Sequence, residues 1–343
     1  MKPLDQLIRP NILSLAPYSC ARNEYSGKEA RVYLDANESP FNNPYNRYPD
    51  PLQTELKQAV SKVKGIAPDN IFLGNGSDEA IDLMYRCFAR PGIDNVVAME
   101  PTYGMYRVAA DINDVEYRPV LLETGFRLNA ENILSACDNN TKVVWLCSPN
   151  NPTGNSMDRK QMEIIIDSFE GLVVVDEAYG DFARQKLFRS EIAHHPNLVV
   201  LNTMSKAWRS ASIRLGMAFA STDIVGLFNK VKYPYNVSML TQRYALQMLA
   251  DPFEIDKEVK DILRERDSLI VAFSQLSLCK RVYPTDANFF LAEVNDAPAV
   301  YSYLVSEGII VRDRHNVALC DNCLRITVGT KGENSLLLAA LRK

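Results

Sequence analysis

The 343-residue sequence lacks several features that mark whole classes of protein. No apolar stretch approaches the roughly 20 residues of a membrane span, and the N-terminal stretch has no continuous apolar centre like that of a signal peptide. Basic residues are not in excess: the formal net charge is -4, so no basic stripe is available to displace counterions from nucleic acid. We therefore expect a soluble protein that binds neither membranes nor nucleic acid.

Cysteine and histidine are too few and too scattered for a disulfide framework or an evident metal site. The sequence has seven cysteines and three histidines, and an odd, dispersed set of cysteines fits a reducing cytoplasm better than a secreted domain. Cys320 and Cys323 form one CxxC pair, but a zinc site would need a second pair or nearby histidines. We predict a cytoplasmic protein without a bound metal.

What the sequence does contain is a regular alternation of short β-rich runs with longer helical patterns. Hydrophobic residues make up 47% and charged residues 23%, which suits a large core and more than one domain. The apolar runs begin at Ile71, Val96, Val143, Leu172, Leu198 and Met217. Runs of this length are typical of strands buried on both faces, so the pattern predicts an α/β fold with a mainly parallel sheet.

Polar and aromatic residues follow these runs. Two of these residues, Lys206 and Asp176, indicate a cofactor. Lys206 comes shortly after the run that begins at Leu198, and Asp176 closes the string LVVVD. Open α/β sheets bind ligands outside the carboxyl ends of their strands, so both side chains are expected in one crevice. Pyridoxal phosphate needs an amine for its covalent bond and a carboxylate for its ring nitrogen. The alternative for Asp176 is a helix N-cap.

The remaining strand ends offer groups for the cofactor's phosphate and ring. In GNGSDEA, Gly74 and Gly76 permit a tight turn, and Ser77, Asp78 and Glu79 open a helix whose free amides favour a phosphate. Glu79 stands where a dinucleotide fingerprint would need glycine. A simple N-capped turn is the alternative here. Phosphate donors could also come from Thr203, Ser205 and Arg214, while Tyr103, Asn151 and Tyr179 could contact the ring.

The C-terminal part reads as a second lobe. The segment from Asp251 has apolar residues at helical spacing, and strands are predicted in ANFFLAEV, GIIVRD and CLRITVG, with a final helix from about Glu333. Arg325 lies between two apolar residues of a half-buried strand, where an unpaired charge is costly. Its partner could be a substrate anion or an internal carboxylate.

Together these strings resemble a known family. GNGSDEA, PTYGMY, SPNNPTGN, VVDEAY, SKAW, RLG and CLRITVGT, with PYSCAR, LDANESP and NRYP near the start, are similar to the histidinol-phosphate aminotransferases of fold type I. The resemblance implies a seven-stranded, mainly parallel sheet sandwiched by helices, with a smaller α+β domain. It places an N-terminal segment at 1–35, the large cofactor domain at 36–240 and the small domain at 241–343. Thr203 and Trp208 depart from the serine and phenylalanine common in such strings.

The resemblance also implies roles for individual residues. Lys206, Asp176 and Tyr179 would be catalytic, with Lys206 bonded to the cofactor and Asp176 paired with its ring nitrogen. The cofactor would further contact Gly76, Ser77, Asp78, Tyr103, Asn151, Thr203, Ser205 and Arg214, and Tyr48 would reach the phosphate in the partner subunit of a homodimer. The substrate would lie near Arg312, Arg325, Tyr18 and Asn37.

The expected reaction is transfer of an amino group between L-histidinol phosphate and 2-oxoglutarate, a step of histidine biosynthesis. Three alternatives stay open: an aromatic amino acid aminotransferase, a phosphothreonine-type decarboxylase on the same scaffold, and a cofactor-binding regulator without turnover. The regulator would need an appended DNA-binding domain, which we do not expect because the enzyme-like strings begin near residue 17.

Overall fold

A seven-stranded sheet forms the centre of the computed structural model, which describes residues 2–18 and 32–342. Its strands are β1 (Ile71–Asn75), β2 (Asn95–Glu100), β3 (Glu116–Leu121), β4 (Thr141–Cys147), β5 (Leu172–Asp176), β6 (Leu198–Thr203) and β7 (Leu215–Phe219). They lie in the order β1-β7-β6-β5-β4-β2-β3, and β7 runs in the opposite direction to the other six strands. The predicted α/β class with a mainly parallel sheet is confirmed.

Helices cover both sheets and connect their strands. They are α1 (Leu4–Leu7), α2 (Pro10–Leu13), α3 (Thr54–Lys64), α4 (Ser77–Phe88), α5 (Met105–Ile112), α6 (Ala130–Ser135), α7 (Arg159–Ser168), α8 (Thr222–Val231), α9 (Met239–Leu249), α10 (Pro252–Ser274), α11 (Ala297–Ser306) and α12 (Lys331–Leu341). Short 3₁₀ turns span Pro68–Asn70, Gly180–Phe182, Phe188–Glu191 and Ala211–Ile213.

The central strands form where the apolar runs predict them. Every residue of β5, β6 and β7 is buried, as expected for strands covered by helices on both faces. Helix α4 starts directly after β1, with Asp78 and Glu79 in its first turn and Arg86 in its last. Those charges complement the helix dipole, and the opposite face of α4 is buried against the sheet.

Two edge strands were not predicted, and one predicted strand is shorter than expected. Strand β3 carries charged residues and Pro119 and is only partly buried, and β8 (Cys279–Val282) reads CKRV. Such strands lie at sheet edges, where polar residues and proline are tolerated, so they lack an apolar run. In GIIVRD only β10 (Arg312–Asp313) pairs.

Strand register brings the ends of the central strands together. Cys147 lies beside Asp176, and Asp176 lies beside Leu201. Because β7 runs antiparallel, its first residue, Leu215, lies beside Asn75 at the end of β1. The chain segments that leave β1, β4, β5 and β6, and the one that enters β7, therefore meet at one edge of the sheet.

A second sheet and a second apolar core lie in the C-terminal part. The antiparallel sheet has the order β10-β11-β9-β8, with β9 at Phe289–Val294 and β11 at Cys323–Thr327. A separate buried cluster includes Phe273, Phe290 and Leu324. The proposed boundaries at 35/36 and 240/241 stay predictions. Cys20 and most of the PYSCAR string lie outside the described residues.

Candidate active site

A cavity of about 800 Å³ opens at the sheet edge where these strand ends meet. The predicted site residues that line it are Ser77, Asp78, Tyr103, Asn151, Asp176, Tyr179, Thr203, Ser205, Lys206, Arg214, Arg312 and Arg325. A larger depression of about 1070 Å³, lined by parts of 123–135 and 155–164, contains none of them. The predicted site residues are therefore gathered in the smaller cavity.

Lys206 lies on the turn after β6, with its amine facing the cavity. Its Nζ is 5.5 Å from the centre of the Tyr179 ring. Desolvation in the cavity lowers the pKa of Lys206, as does the positive charge of Arg325, while Asp176 opposes both. A lysine with a lowered pKa spends more of its time as the free amine, which is the form that can act as nucleophile or base.

The turn that carries Lys206 is held by a hydrogen bond to the buried ion pair of Lys64 and Asp181. Trp208 donates its indole N–H to Asp181 Oδ2 at 3.0 Å, and Lys64 Nζ contacts the same oxygen at 2.8 Å. The backbone N–H of Arg209 closes the turn on the Lys206 carbonyl at 3.1 Å. Trp208, at the position where the sequence comparison expects phenylalanine, thus adds one hydrogen bond that holds the turn carrying Lys206.

Asp176 is a buried carboxylate with neutral partners. It is 2% exposed, and its Oδ2 accepts a hydrogen bond of 2.6 Å from the Tyr106 hydroxyl. Its Oδ1 accepts one of 2.9 Å from the backbone N–H of Ala178. Burial raises the pKa of Asp176, although both hydrogen bonds oppose that rise. The Ala178 contact resembles a local cap, but the carboxylate faces the cavity and can still accept a further N–H from a ligand.

A cradle of small groups lies at the other end of the cavity. Gly76 has a φ of +78°, which favours glycine, and its backbone N–H donates to the Arg214 carbonyl at 2.6 Å. A Cβ on Gly76 would lie 2.5 Å from Arg214 Nη2. A Cβ on Gly216 would lie 2.0 Å from the Ser77 nitrogen. Only glycine therefore lets β7 and the start of α4 come this close.

Hydroxyl groups and a guanidinium surround this cradle. Ser205 donates its backbone N–H to Thr203 Oγ1 at 3.1 Å, and Arg214 Nη1 lies 3.5 Å from Ser205 Oγ. Arg214 Nη2 also contacts Asp78 Oδ2 at 3.3 Å, while Tyr103 donates its hydroxyl to Asp78 Oδ1 at 3.1 Å. Asp78 thus holds both side chains in place. A helix N-terminus, hydroxyls and an arginine form a donor set that suits a phosphate.

Three arginines line the remaining wall. Arg325 donates a short hydrogen bond to the side-chain oxygen of Asn151, and Arg312 and Arg314 lie nearby. Among the described residues, none of the three forms a salt bridge with a carboxylate. The buried Nε atoms of Arg314 and Arg325 have no hydrogen-bond acceptor in the described structure. Burial lowers the pKa of Arg314 and of Arg325. Such a cluster is costly unless an anion binds to it.

Sequence reasoning missed Arg314 and Tyr106. The string VRDR shows Arg314, which follows Arg312 at the alternate-residue spacing that puts two side chains on one face of a strand, so a signal was present. Tyr106 carried no signal, because its contact with Asp176 joins residues 70 positions apart in sequence. Tyr106 contacts Asp176, and Arg314 lines the same cavity as Arg312 and Arg325.

Three residues predicted near the ligands lie elsewhere on the single chain. Tyr18 and Asn37 are exposed and do not line the cavity. Tyr48 stacks on Tyr235, with ring centres 4.3 Å apart, also away from the cavity wall. The expected role of Tyr48 is in a partner subunit, so its position here does not test that role.

The donor set fits pyridoxal phosphate. The cofactor needs an amine, an anion for its ring nitrogen and a phosphate site. Lys206 supplies an amine in the cavity, Asp176 a buried carboxylate without a cationic partner in the described structure, and Gly76 to Ser77 a cradle that a Cβ would fill. Among residues 2–18 and 32–342, no group of three His, Cys, Asp or Glu side chains could hold a metal ion, and no helix is long and apolar enough to cross a membrane.

Comparison with known proteins agrees with this site. Residues 20–341 match the family described as aminotransferase class I and II. The chain is 58% identical over 343 residues to histidinol-phosphate aminotransferase from Bacteroides thetaiotaomicron, covering 100% of this chain and 99% of that protein. It is 48% identical to the protein of the same name from Cytophaga hutchinsonii, covering 99% of this chain and 98% of that one.

Solved structures show the same architecture. Histidinol-phosphate aminotransferase from Sinorhizobium meliloti, in complex with pyridoxal-5'-phosphate, superposes with a TM-score of 0.79 at 25% identity, covering 97% of this chain and 96% of that chain. The fold is shared with L-threonine-O-3-phosphate decarboxylase from Porphyromonas gingivalis, at a TM-score of 0.73, 23% identity and coverage of 87% and 90%. The resemblance inferred from the sequence motifs is confirmed, and the chain belongs to the class I and II aminotransferases.

Proposed function

We propose that this protein is a pyridoxal-phosphate-dependent transaminase that converts L-histidinol phosphate and 2-oxoglutarate into imidazole-acetol phosphate and L-glutamate, a step of histidine biosynthesis. The observation that carries the proposal is one cavity in which a reactive lysine, a buried carboxylate and a phosphate cradle face a cluster of arginines. Full-length relatives at 44 to 58% identity bear the name of this enzyme.

The residues of the cavity divide into those for the cofactor and those for the substrate. When bound, pyridoxal phosphate supplies an aldehyde that captures the amino group and a protonated ring that draws electron density from the substrate carbon. Asp176 would keep the ring nitrogen protonated, and Tyr103 would stack on the ring face. Tyr179 and Asn151 would donate to the ring oxygen. Burial raises the pKa of Tyr179 to about 12, so its hydroxyl stays protonated.

The phosphate of the cofactor is assigned to the glycine cradle. The backbone N–H of Ser77, the hydroxyls of Thr203 and Ser205, and Arg214 would hold it. Gly76 would leave room for it by having no Cβ, and Asp78 keeps Arg214 in place. Charge-assisted hydrogen bonds of this kind are each worth about 1.5–3 kcal/mol, so the cradle would provide much of the cofactor's affinity.

Lys206 is assigned two tasks, covalent attachment and proton transfer. When its Nζ is not bonded to the cofactor, Lys206 would take up and return the proton that leaves the substrate Cα. The lowered pKa of Lys206 keeps the amine ready to accept that proton. Water would release the keto product. In the second half of the reaction 2-oxoglutarate would accept the amino group and leave as L-glutamate, with Lys206 returning a proton to its Cα.

The arginine cluster is assigned to the substrate anion. Histidinol phosphate carries a phosphate dianion and 2-oxoglutarate carries two carboxylates, so both bring two negative charges. Arg312, Arg314 and Arg325 line one wall and lack carboxylate partners in the described structure, which suits a doubly charged group. Tyr18 and Asn37 would complete the substrate site from positions that stay predictions.

The assay that tests this function compares substrates on one preparation. Purified protein is given 2-oxoglutarate with histidinol phosphate, phenylalanine or tyrosine, and the specificity constants are compared. We expect histidinol phosphate to be preferred at least about a hundredfold, because the aromatic substrates bring a single carboxylate charge to the arginines and leave the half-buried Arg314 and Arg325 incompletely paired. A preference for phenylalanine or tyrosine would contradict the assignment, and carbon dioxide from a phosphorylated amino acid would indicate the decarboxylase instead.

The matched control is Lys206→Ala. We expect it to fold and to lose turnover by many orders of magnitude, because attachment and proton transfer both depend on that amine. Near-normal transamination by the variant would overturn the role of Lys206 while leaving the substrate preference to be judged on the wild-type protein. Borohydride reduction followed by peptide mapping should place the cofactor label on Lys206 of the wild type only.

We also propose that the chain forms a homodimer through the face made by 34–52 and 233–244. Large apolar side chains are exposed there, including Leu34 at 92% and Phe41 at 78%. The two segments contact each other through the stacked pair Tyr48 and Tyr235. Exposed apolar patches of this kind mark protein interfaces. Tyr48 of the partner subunit would then approach the cofactor phosphate. Sedimentation equilibrium should give twice 38.6 kDa, and a single-chain mass would contradict the proposal.

The proposed location is the cytoplasm. Each of the six described cysteines carries a free thiol, which is the state that a reducing compartment maintains. Fractionation of cells that express the protein at natural levels should recover it with cytoplasmic enzymes, and recovery with an exported fraction would contradict the proposal.

A further inference from the structure

Tyr106 is a buried residue to which the proposed reaction gives no part. It lies in the first turn of α5 and is 0% exposed, and its hydroxyl donates to Asp176 Oδ2 at 2.6 Å. The second oxygen of Asp176 accepts from the backbone N–H of Ala178 at 2.9 Å. With both oxygens bonded, the carboxylate cannot rotate about its Cβ–Cγ bond without losing a hydrogen bond inside the protein.

The Tyr106 ring is itself held by an aromatic stack. It lies parallel to the Trp145 ring, with centres 4.7 Å apart and planes 14° apart, and Trp145 stacks on Tyr85 at 5.7 Å. The Tyr85 hydroxyl donates to the Tyr106 carbonyl at 2.6 Å. Because its ring is fixed by this stack, which the substitution Tyr85→Phe would preserve, the Tyr106 hydroxyl has one position. Burial raises the pKa of Tyr106 well above its usual value, so this group stays a hydrogen-bond donor.

Tyr106 also contacts the tyrosine assigned to the cofactor ring. Its ring meets Tyr103 edge to face, with centres 5.7 Å apart and planes at 86°. One side chain therefore touches both the carboxylate assigned to the ring nitrogen and the aromatic ring assigned to the cofactor's face. A residue with those two contacts can set the position of one group relative to the other.

We propose that Tyr106 is a positioning residue that holds the Asp176 carboxylate as an oriented anion for the cofactor's ring nitrogen. The inference rests on the proposed function, since it assumes that Asp176 pairs with that nitrogen. A buried carboxylate tends to take up a proton, and a neutral donor at a fixed distance favours the charged form without cancelling its charge as a lysine or arginine would. Tyr106 thus keeps the negative charge available on the side that faces the cavity.

The test uses two cofactors and one conservative variant. Apoprotein of the wild type and of Tyr106→Phe is titrated with pyridoxal phosphate and with its 1-deaza analogue, in which carbon replaces the ring nitrogen. We expect Tyr106→Phe to weaken pyridoxal phosphate binding about tenfold or more, the size expected for a hydrogen bond to a charged group, and to leave analogue binding within about twofold. Equal losses for both cofactors, or no loss for either, would overturn the role of Tyr106.

Tyr85→Phe is the matched control, because it removes a buried hydroxyl from the same aromatic stack. That hydroxyl donates to the Tyr106 carbonyl, whereas the described hydrogen bonds of Asp176 come from Tyr106 and Ala178 and not from Tyr85. The control should lower the melting temperature of the apoprotein by an amount similar to Tyr106→Phe and leave the ratio of the two cofactor affinities at the wild-type value. Each ratio is taken on one preparation, so a general loss of stability cancels. A ratio altered equally in both variants would indicate a structural role and overturn the proposal.

Kinetics give a second measurement. Tyr106→Phe should lower kcat about tenfold and leave the KM for 2-oxoglutarate unchanged, because Tyr106 does not line the cavity wall that holds the arginines. A rise in KM at constant kcat would overturn the proposal.

If wild-type protein binds both cofactors equally, Asp176 does not pair with the ring nitrogen and the proposed function fails with the inference. If only the variant comparison fails, the proposed function stands and the role of Tyr106 falls.

Discussion

Gly216 offers a sharp test of the cradle, because it lies on β7 and touches no reacting group. A Cβ at this position would lie 2.0 Å from the Ser77 nitrogen and 2.2 Å from the Gly76 carbonyl carbon. Non-bonded heavy atoms need about 3.5 Å, so Gly216→Ala would push the turn back by about 1.5 Å. The obstacle is backbone and cannot move aside by changing a rotamer.

The size of the effect follows from that displacement. Overpacking of this kind typically costs about 1–3 kcal/mol of stability. A shift of 1.5 Å also moves the Ser77 amide out of hydrogen-bonding range of a phosphate, since N–H···O bonds span roughly 2.7–3.2 Å. Loss of one charge-assisted hydrogen bond costs about 1.5–3 kcal/mol, which corresponds to about a tenfold to hundredfold weaker affinity for pyridoxal phosphate.

The assay combines urea unfolding of the apoprotein with a fluorescence titration of pyridoxal phosphate. Gly226→Ala is the matched control, since Gly226 lies in α8 and a Cβ there would meet nothing within 4 Å. The control should raise the free energy of unfolding by up to about 1 kcal/mol, because alanine favours a helix more than glycine does, and leave cofactor affinity unchanged. If Gly216→Ala binds the cofactor within about twofold of wild type, the assignment of the phosphate to the Gly76–Ser77 turn is refuted.

Two other substitutions probe the arginine wall and a buried acid. Arg314→Gln should lower kcat/KM for histidinol phosphate about tenfold to hundredfold and kcat/KM for phenylalanine less than about threefold, because only the phosphate needs the third cation. Equal losses for the two substrates in parallel assays would show that Arg314 is not part of the substrate site. Glu177 is 1% exposed, and burial raises its pKa to about 8, far above the value of about 4.3 for an unfolded chain. Its contribution to stability is therefore fully present below about pH 4 and is lost as pH rises towards 8. Glu177→Gln cannot ionise, so urea unfolding at pH 5, 6.5 and 8 should show it gaining stability relative to wild type with rising pH, and identical pH slopes for the two proteins would contradict a buried neutral acid.

The reactive residues were predictable because they end strands with a strong apolar signal. Asp176 and Lys206 follow runs of buried valine and leucine, and parallel strands bring their carboxyl ends to the same edge whatever their exact order. The turn assigned to the phosphate was visible in the sequence through Gly76 and the acidic residues after it. Local pattern and one topological rule were enough to place these groups in a common crevice.

The supporting contacts were not predictable, because they depend on packing between distant segments. The link from Tyr106 to Asp176 needs the packing of α5 on β4 and β5, and nothing in the string PTYGMY distinguishes its two tyrosines. The antiparallel direction of β7 was also missed, since an apolar run has the same composition in either direction. Strand β3 was missed because its polar residues and Pro119 suit an edge rather than the interior.

The contact between Gly76 and Arg214 has a consequence for how the protein is made. The hydrogen bond from the Gly76 N–H to the Arg214 carbonyl joins the start of the large sheet to the strand inserted last, well over a hundred positions later in sequence. In a growing polypeptide whose β7 is still inside the ribosome, the cradle assigned to the cofactor phosphate would be incomplete. Cofactor binding would then require the completed sheet. By mass action it would stabilise the folded state of full-length chains and not that of truncated ones.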